Sequence, residues 1–168
     1  SKTDIFLANT LGPIAEKILG KSGVGLVQTA LGESAYEKGE DRFRVLAYLT
    51  RGLNQSENNG IAEMTWVATA LRSKLALCAG DMEYAQRLTS GMLQSLDPEH
   101  QPQLYEGVTA FSCWLSLYSN EIGRIRRWLE TAPDETVEFC TLNRYFYMVK
   151  IYCYAALGKH TDALMLIS

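Results

Sequence analysis

The chain has 168 residues, 47% hydrophobic and 21% charged, enough apolar side chain for a buried core and too much for a disordered segment. Its formal net charge of -3, with 16 Lys and Arg against 19 Asp and Glu, argues against direct nucleic-acid contact, which needs a surplus of clustered cations. The apolar runs break well short of the roughly 18 to 20 residues that span a bilayer, and no signal peptide opens the chain, so a cytoplasmic location without membrane contact is expected.

Apolar Ile5, Phe6 and Leu7 ahead of Pro13 read as the tail of an earlier helical hairpin. Gly20-Lys21-Ser22 has the end of a phosphate-binding loop, but Ala15 stands where such a loop needs glycine and no strand precedes it. A flexible helix connection is the better reading.

From there the chain repeats every 40 residues or so: a helix, a short break, a second helix. The breaks centre on Gly39, Gly80, Asn120 and Gly158, spaced 41, 40 and 38 residues apart. Glycine or asparagine suits a helix end in a left-handed backbone conformation. The units run over about 21–59, 60–100, 101–139 and 140–168 and together predict one all-α domain. It is expected to be a right-handed superhelix of about four antiparallel hairpins.

In the first unit Gly23, Gly25 and Gly32 dilute the propensity of the first helix, and its apolar face, Val27, Ala30 and Ser34, is weak. In the next three units the face is strong at 12, 9 and 5 residues before the joint: Ala68, Leu71 and Leu75; Val108, Phe111 and Leu115; Phe146, Val149 and Cys153. Second helices are predicted over 41–57, 81–95, 121–131 and from 160 onward. Each turns a residue inward five positions past its joint (Ala85, Ile125, Ala163), with Val45 in register after one extra residue. Leu88, Trp128 and Leu166 follow, eight past. Asn58-Asn59-Gly60, Asp97-Pro98 and Ala132-Pro133-Asp134 close the first three units. Leu164, Leu166 and Ile167 lack the polar outer face of a terminal cap, which reads as a segment excised from a longer protein.

Stacked hairpins of this kind usually present a binding surface, and no Ser, His and Asp set or carboxylate pair can be placed, so the chain is read as a non-enzyme without cofactors. Cys78, Cys113, Cys140 and Cys153 form no CxxC pair and read as reduced thiols rather than a metal or disulfide framework. His100 and His160 lie beside turns without a partner at ligand spacing.

The candidate binding surface is a stripe 15, 11, 8 and 4 residues before the joint, spacings that share one helical face. It comprises Thr65, Thr69, Arg72 and Ala76; Tyr105, Thr109, Ser112 and Ser116; and Asn143, Tyr147, Lys150 and Tyr154. Hydroxyls, two cations and tyrosines suit a small anionic ligand or an acidic peptide along a concave wall. A solvated face with no ligand explains the same pattern. Trp66, Trp114, Trp128, Tyr145, Phe146 and Tyr152 read as inter-helix packing in preference to an aromatic cage, and Arg124, Arg126 and Arg127 as a solvated basic face.

Gly80-Asp81-Met82-Glu83-Tyr84-Ala85 and Ala156-Leu157-Gly158-Lys159-His160-Thr161-Asp162-Ala163 resemble the joint of tetratricopeptide repeats, although those units are shorter, about 34 residues. Arg127-Trp128-Leu129 through Ala132-Pro133, then Asn143 to Lys150 and Tyr154 to Gly158, look like the helical-repeat region of large LuxR-type, MalT-like ATP-dependent transcriptional regulators. The match covers mainly residues 60–168. It implies a sensor or assembly segment that binds a small-molecule inducer or a partner protein or peptide and supports self-association. A general scaffold that docks peptides, unconnected to transcription, is the alternative.

Overall fold

The computed structural model describes residues 10, 12–18, 20–57, 62–133 and 141–167, of which the side chains of 21–22, 56–57 and 141–144 lie outside the description. Ile5, Phe6, Leu7, Asn58, Gly60, Asp134 and Cys140 fall outside it as well. The described residues are helical, without strands. After helical residues 12–18 come α1 (Lys21–Glu37), α2 (Arg42–Glu57), α3 (Ala62–Cys78), α4 (Met82–Ser95), α5 (Pro102–Tyr118), α6 (Ile122–Thr131), α7 (Thr141–Ala156) and α8 (His160–Met165).

The joints close alike. Gly39, Gly80, Asn120 and Gly158 all adopt positive φ, at 66°, 81°, 55° and 71°. In each, the amide after the joint residue reaches back to the carbonyl five residues earlier: Glu40 to Ala35, Asp81 to Ala76, Glu121 to Ser116 and Lys159 to Tyr154, at 2.8–3.0 Å. This left-handed closure satisfies a carbonyl that the helix end would otherwise orphan. The next helix starts at once, and Asp41 and Asp81 cap theirs by accepting from Phe43 N–H at 2.9 Å and Tyr84 N–H at 3.0 Å.

The chain divides into two compact units, 1–88 and 89–168, with the division inside α4. In the first, Ala35, Val45, Leu49, Leu53, Ala68 and Leu71 form a core, flanked by Tyr36, Tyr48, Val67 and Leu75. The glycines of α1 prove to be packing devices rather than weak points. A Cβ on Gly32 would lie 2.6 Å from Leu49 Cδ2, and one on Gly25 would lie 2.9 Å from Gln55 Cβ. On α2, Gly52 makes the same allowance for Thr29. Their missing side chains let α1 and α2 approach closely, a gain that offsets the propensity cost of glycine in a helix.

In the second unit Ala110, Cys113, Ile125, Trp128, Phe146, Val149 and Cys153 make the core, where α5, α6 and α7 meet. Trp114, Leu117, Ile122, Leu129, Tyr145 and Leu157 pack around it. The expected face of α5 is fully inside: Val108, Phe111 and Leu115 are 0–1% exposed. All four residues expected to turn inward after the joints, Val45, Ala85, Ile125 and Ala163, are buried. Of the aromatic set, Trp128 and Phe146 belong to this core, Trp114 and Tyr145 pack against it, Trp66 is half-buried in the first unit and Tyr152 is exposed. No helix among the described residues is long and apolar enough to cross a membrane.

Candidate functional site

The stripe residues divide between the two units. In the first, Thr69 is buried, Thr65 and Arg72 are half-buried, and the Arg72 guanidinium donates to the Tyr84 hydroxyl at 2.7 Å. In the second, Ser112 and Ser116 are buried, and Arg124 donates to the Ser112 hydroxyl. Arg72 and Ser112 sit eight residues before their joints, and Tyr84 and Arg124 four after. At this position α3 and α5 are therefore turned towards their own hairpin partners. Arg124, read from the sequence as solvated, is half-buried and also faces Glu121 at 3.7 Å. The Asn143 side chain lies outside the described residues.

Lys150 is 5% exposed, and its ammonium donates to the Pro133 carbonyl at 2.5 Å. A buried cation demands such a partner, because isolating it from water costs several kcal/mol, roughly. The bond ties Pro133, two residues past the end of α6, to α7. Pro133 is in turn one wall of a groove of about 310 Å³, lined also by Pro98, Pro102, Tyr105, Glu106, Thr109, Trp128 and Thr131. Two stripe residues, Tyr105 and Thr109, thus line the groove, and a third, Lys150, anchors its rim.

Local chemistry shapes the walls. Asp97 accepts from the Glu99 amide at 2.9 Å and meets His100 Nδ1 at 2.6 Å, which folds the turn that carries Pro98. The Glu99 amide bond foremost, then the His100 side chain, hold the Asp97 carboxyl below its ordinary range. Pro102 opens α5, where its missing N–H costs nothing. Thr109 Oγ1 donates to the Tyr105 carbonyl at 2.8 Å and Thr131 Oγ1 to the Trp128 carbonyl at 3.3 Å. Each hydroxyl has spent its one proton within its own helix and offers a visitor only lone pairs. With the Glu106 carboxylate, the groove is a wall of rings and mostly of hydrogen-bond acceptors, and among the described residues no cation lines it.

A second groove, about 390 Å³, is lined by Arg126, Leu129, Glu130, Tyr154, Leu157 and Lys159, with the Lys159 ammonium 5.8 Å from the centre of the Tyr154 ring. It contains the stripe residue Tyr154 and two cations. Helix α6 stands between the grooves: Trp128 lines one, while Arg126 and Glu130, each about 160° round the helix from it, line the other. Tyr147 is half-buried and lines neither.

Sequence reasoning missed Pro98, Pro102, Glu106, Thr131 and Pro133. The signal was present as the prolines of the turns that close two units, read there only as punctuation. Among the described residues no group of three or more His, Cys, Asp or Glu side chains could hold a metal ion. Comparison of the chain with protein-family models, with curated proteins and with solved structures finds no match.

Proposed function

We propose that this chain is a binding segment in which the Tyr105–Trp128 groove receives a ligand or partner. In this reading the hairpins stack into a right-handed, tetratricopeptide-like superhelix. The segment serves as the sensor or assembly part of a cytoplasmic bacterial LuxR-type, MalT-like transcriptional regulator. The observation that carries the binding role is the groove itself. Rings from Tyr105 and Trp128, acceptor oxygens from Thr109 and Thr131, and one carboxylate converge on it, and a buried lysine holds its rim. The transcriptional role rests on the resemblance of residues 60–168.

The lining selects the ligand's chemistry. An apolar body with hydrogen-bond donors fits rings and acceptors, whereas an anion would meet Glu106. Anionic ligands belong instead to the Arg126 and Lys159 groove. The scaffold reading is favoured by a different observation: Pro98, Pro102 and Pro133 beside two aromatic rings form the kind of surface on which extended peptides dock.

Thermal shift separates these readings when the chain and its Glu106→Gln and Tyr105→Ala variants are screened against neutral sugars, small amines and proline-containing peptides. Stabilisation by a small molecule, lost in both variants, supports sensing; stabilisation by peptides alone supports the scaffold. Shifts that survive both substitutions would remove the groove from the account. The regulator reading is tested separately by sequencing the flanking coding regions, where it requires a phosphate-binding loop upstream and a helix-turn-helix downstream.

A further inference from the structure

Cys113 on α5 and Cys153 on α7 belong to successive hairpins, 40 residues apart, yet their sulfurs stand 3.5 Å from each other. Both are free thiols with 0–1% exposure. The Tyr145 hydroxyl, in the same core cluster, is buried without a hydrogen-bond partner. Two facing thiols and an unsatisfied hydroxyl are an unusual thing to enclose among Ala110, Ile125, Phe146 and Val149.

We propose that Cys113 and Cys153 form a peroxide-reactive dithiol that closes to an intramolecular disulfide joining α5 to α7. The sulfurs need to approach by about 1.5 Å to reach a disulfide bond length near 2.05 Å. The thiols share a hydrogen bond, which pushes Cys113 up, with burial adding to the rise, and draws Cys153 down against the effect of burial. Either sulfur can be the donor in that bond, and the same disulfide results whichever ionises first; the thiolate is taken at Cys153.

Its thiolate attacks one oxygen of hydrogen peroxide; the O–O bond breaks, Cys153 becomes a sulfenic acid, and the departing hydroxide takes the Cys113 proton as water. The Cys113 thiolate then attacks the Cys153 sulfur. The S–S bond forms and the S–O bond breaks. The second hydroxide leaves as water with the proton Cys153 first released. Two thiols and one peroxide give one disulfide and two waters. Because both sulfurs are buried, oxidation waits on α5 and α7 parting, and it proceeds more slowly than reaction at exposed Cys78.

The test uses the whole chain carrying Cys78→Ser, reduced, treated with excess hydrogen peroxide, then denatured and alkylated. The expected result is loss of two alkylatable thiols in a monomeric product, recovered by reductant, with Cys113 and Cys153 in one cross-linked peptide. Cys113→Ser and Cys153→Ser each abolish that peptide. Should either variant fail to fold, the cross-link map of the parent decides alone. Full alkylation of both cysteines after peroxide, a cross-link through Cys140, or over-oxidation of one sulfur without a disulfide would overturn the proposal.

Discussion

The Arg72 guanidinium meets the Tyr84 hydroxyl at 2.7 Å across the joint at Gly80, and one hairpin later the same two positions are filled by Ser112 and Arg124, with donor and acceptor exchanged between the helices. The contact ties the first helix of a hairpin to the first turn of the second. Arg72→Ala is expected to lower stability by about 1 kcal/mol, the usual worth of one such bond, and Tyr84→Phe by a similar amount. The double variant should lose less than the sum, which a double-mutant cycle in urea measures.

Glycines Gly32 and Gly91 both sit inside helices and should respond oppositely to alanine. At Gly32 a Cβ would collide with the fully buried Leu49 side chain, so Gly32→Ala should cost about 1–3 kcal/mol as overpacking. Nothing lies within 4 Å of a Cβ at exposed Gly91, so Gly91→Ala should add about 0.5–1 kcal/mol. Melting curves of the two variants would reverse this account if they moved in the same direction.

Asn120 is the one non-glycine with positive φ among the described residues. Replacement by a β-branched residue, Asn120→Val, should cost at least about 1–2 kcal/mol, while Asn120→Gly should stay within about 1 kcal/mol of the parent. Denaturant midpoints compare the two directly.

The Asp97 carboxyl titrates below its ordinary value, held there first by the Glu99 amide and then by His100. A carboxyl whose folded pKa is depressed contributes stability that is complete above its unfolded pKa and is lost as pH falls through the folded one. Asp97→Asn should therefore flatten the acid limb of the stability curve below about pH 4. The Asp97 carboxyl resonance, followed by NMR, should titrate below that of an unstructured peptide. A midpoint at or above the peptide's would contradict the turn geometry.

Truncation of Trp128 joins the core to the groove. At 7% exposure, Trp128→Ala should destabilise by about 3–5 kcal/mol. Glu106→Gln, exposed on the groove wall, should leave stability within about 0.5 kcal/mol. Equal losses from the two would mean that the groove wall has no independent role.

The joints were legible because their signal is local: a glycine or asparagine at a helix end predicts a left-handed residue whatever surrounds it, and all four have one. Helical periodicity likewise placed Ala68, Val108, Phe111 and Val149 inside, where they are 0–1% exposed. Polarity misled at Ser112 and Lys150, since a hydroxyl or an ammonium looks the same in sequence whether its partner is water, Arg124 or the Pro133 carbonyl. The groove escaped because its walls come from turns and helix ends between Pro98 and Pro133, which share no period. Packing against Leu49 gives Gly32 its purpose, and no propensity scale contains that information.

Each joint is closed by backbone atoms of six consecutive residues, as in the bond from Asp81 N–H to the Ala76 carbonyl. Closing so short a segment costs little chain entropy. Forming a hairpin is thus an early and fast event, and the slow step of folding is the meeting of one hairpin with the next. Substitutions at the joints, already formed at that step, should therefore show mainly as slower refolding, whereas at Ala110 or Phe146, where α5 and α7 join, the loss should divide between slower refolding and faster unfolding.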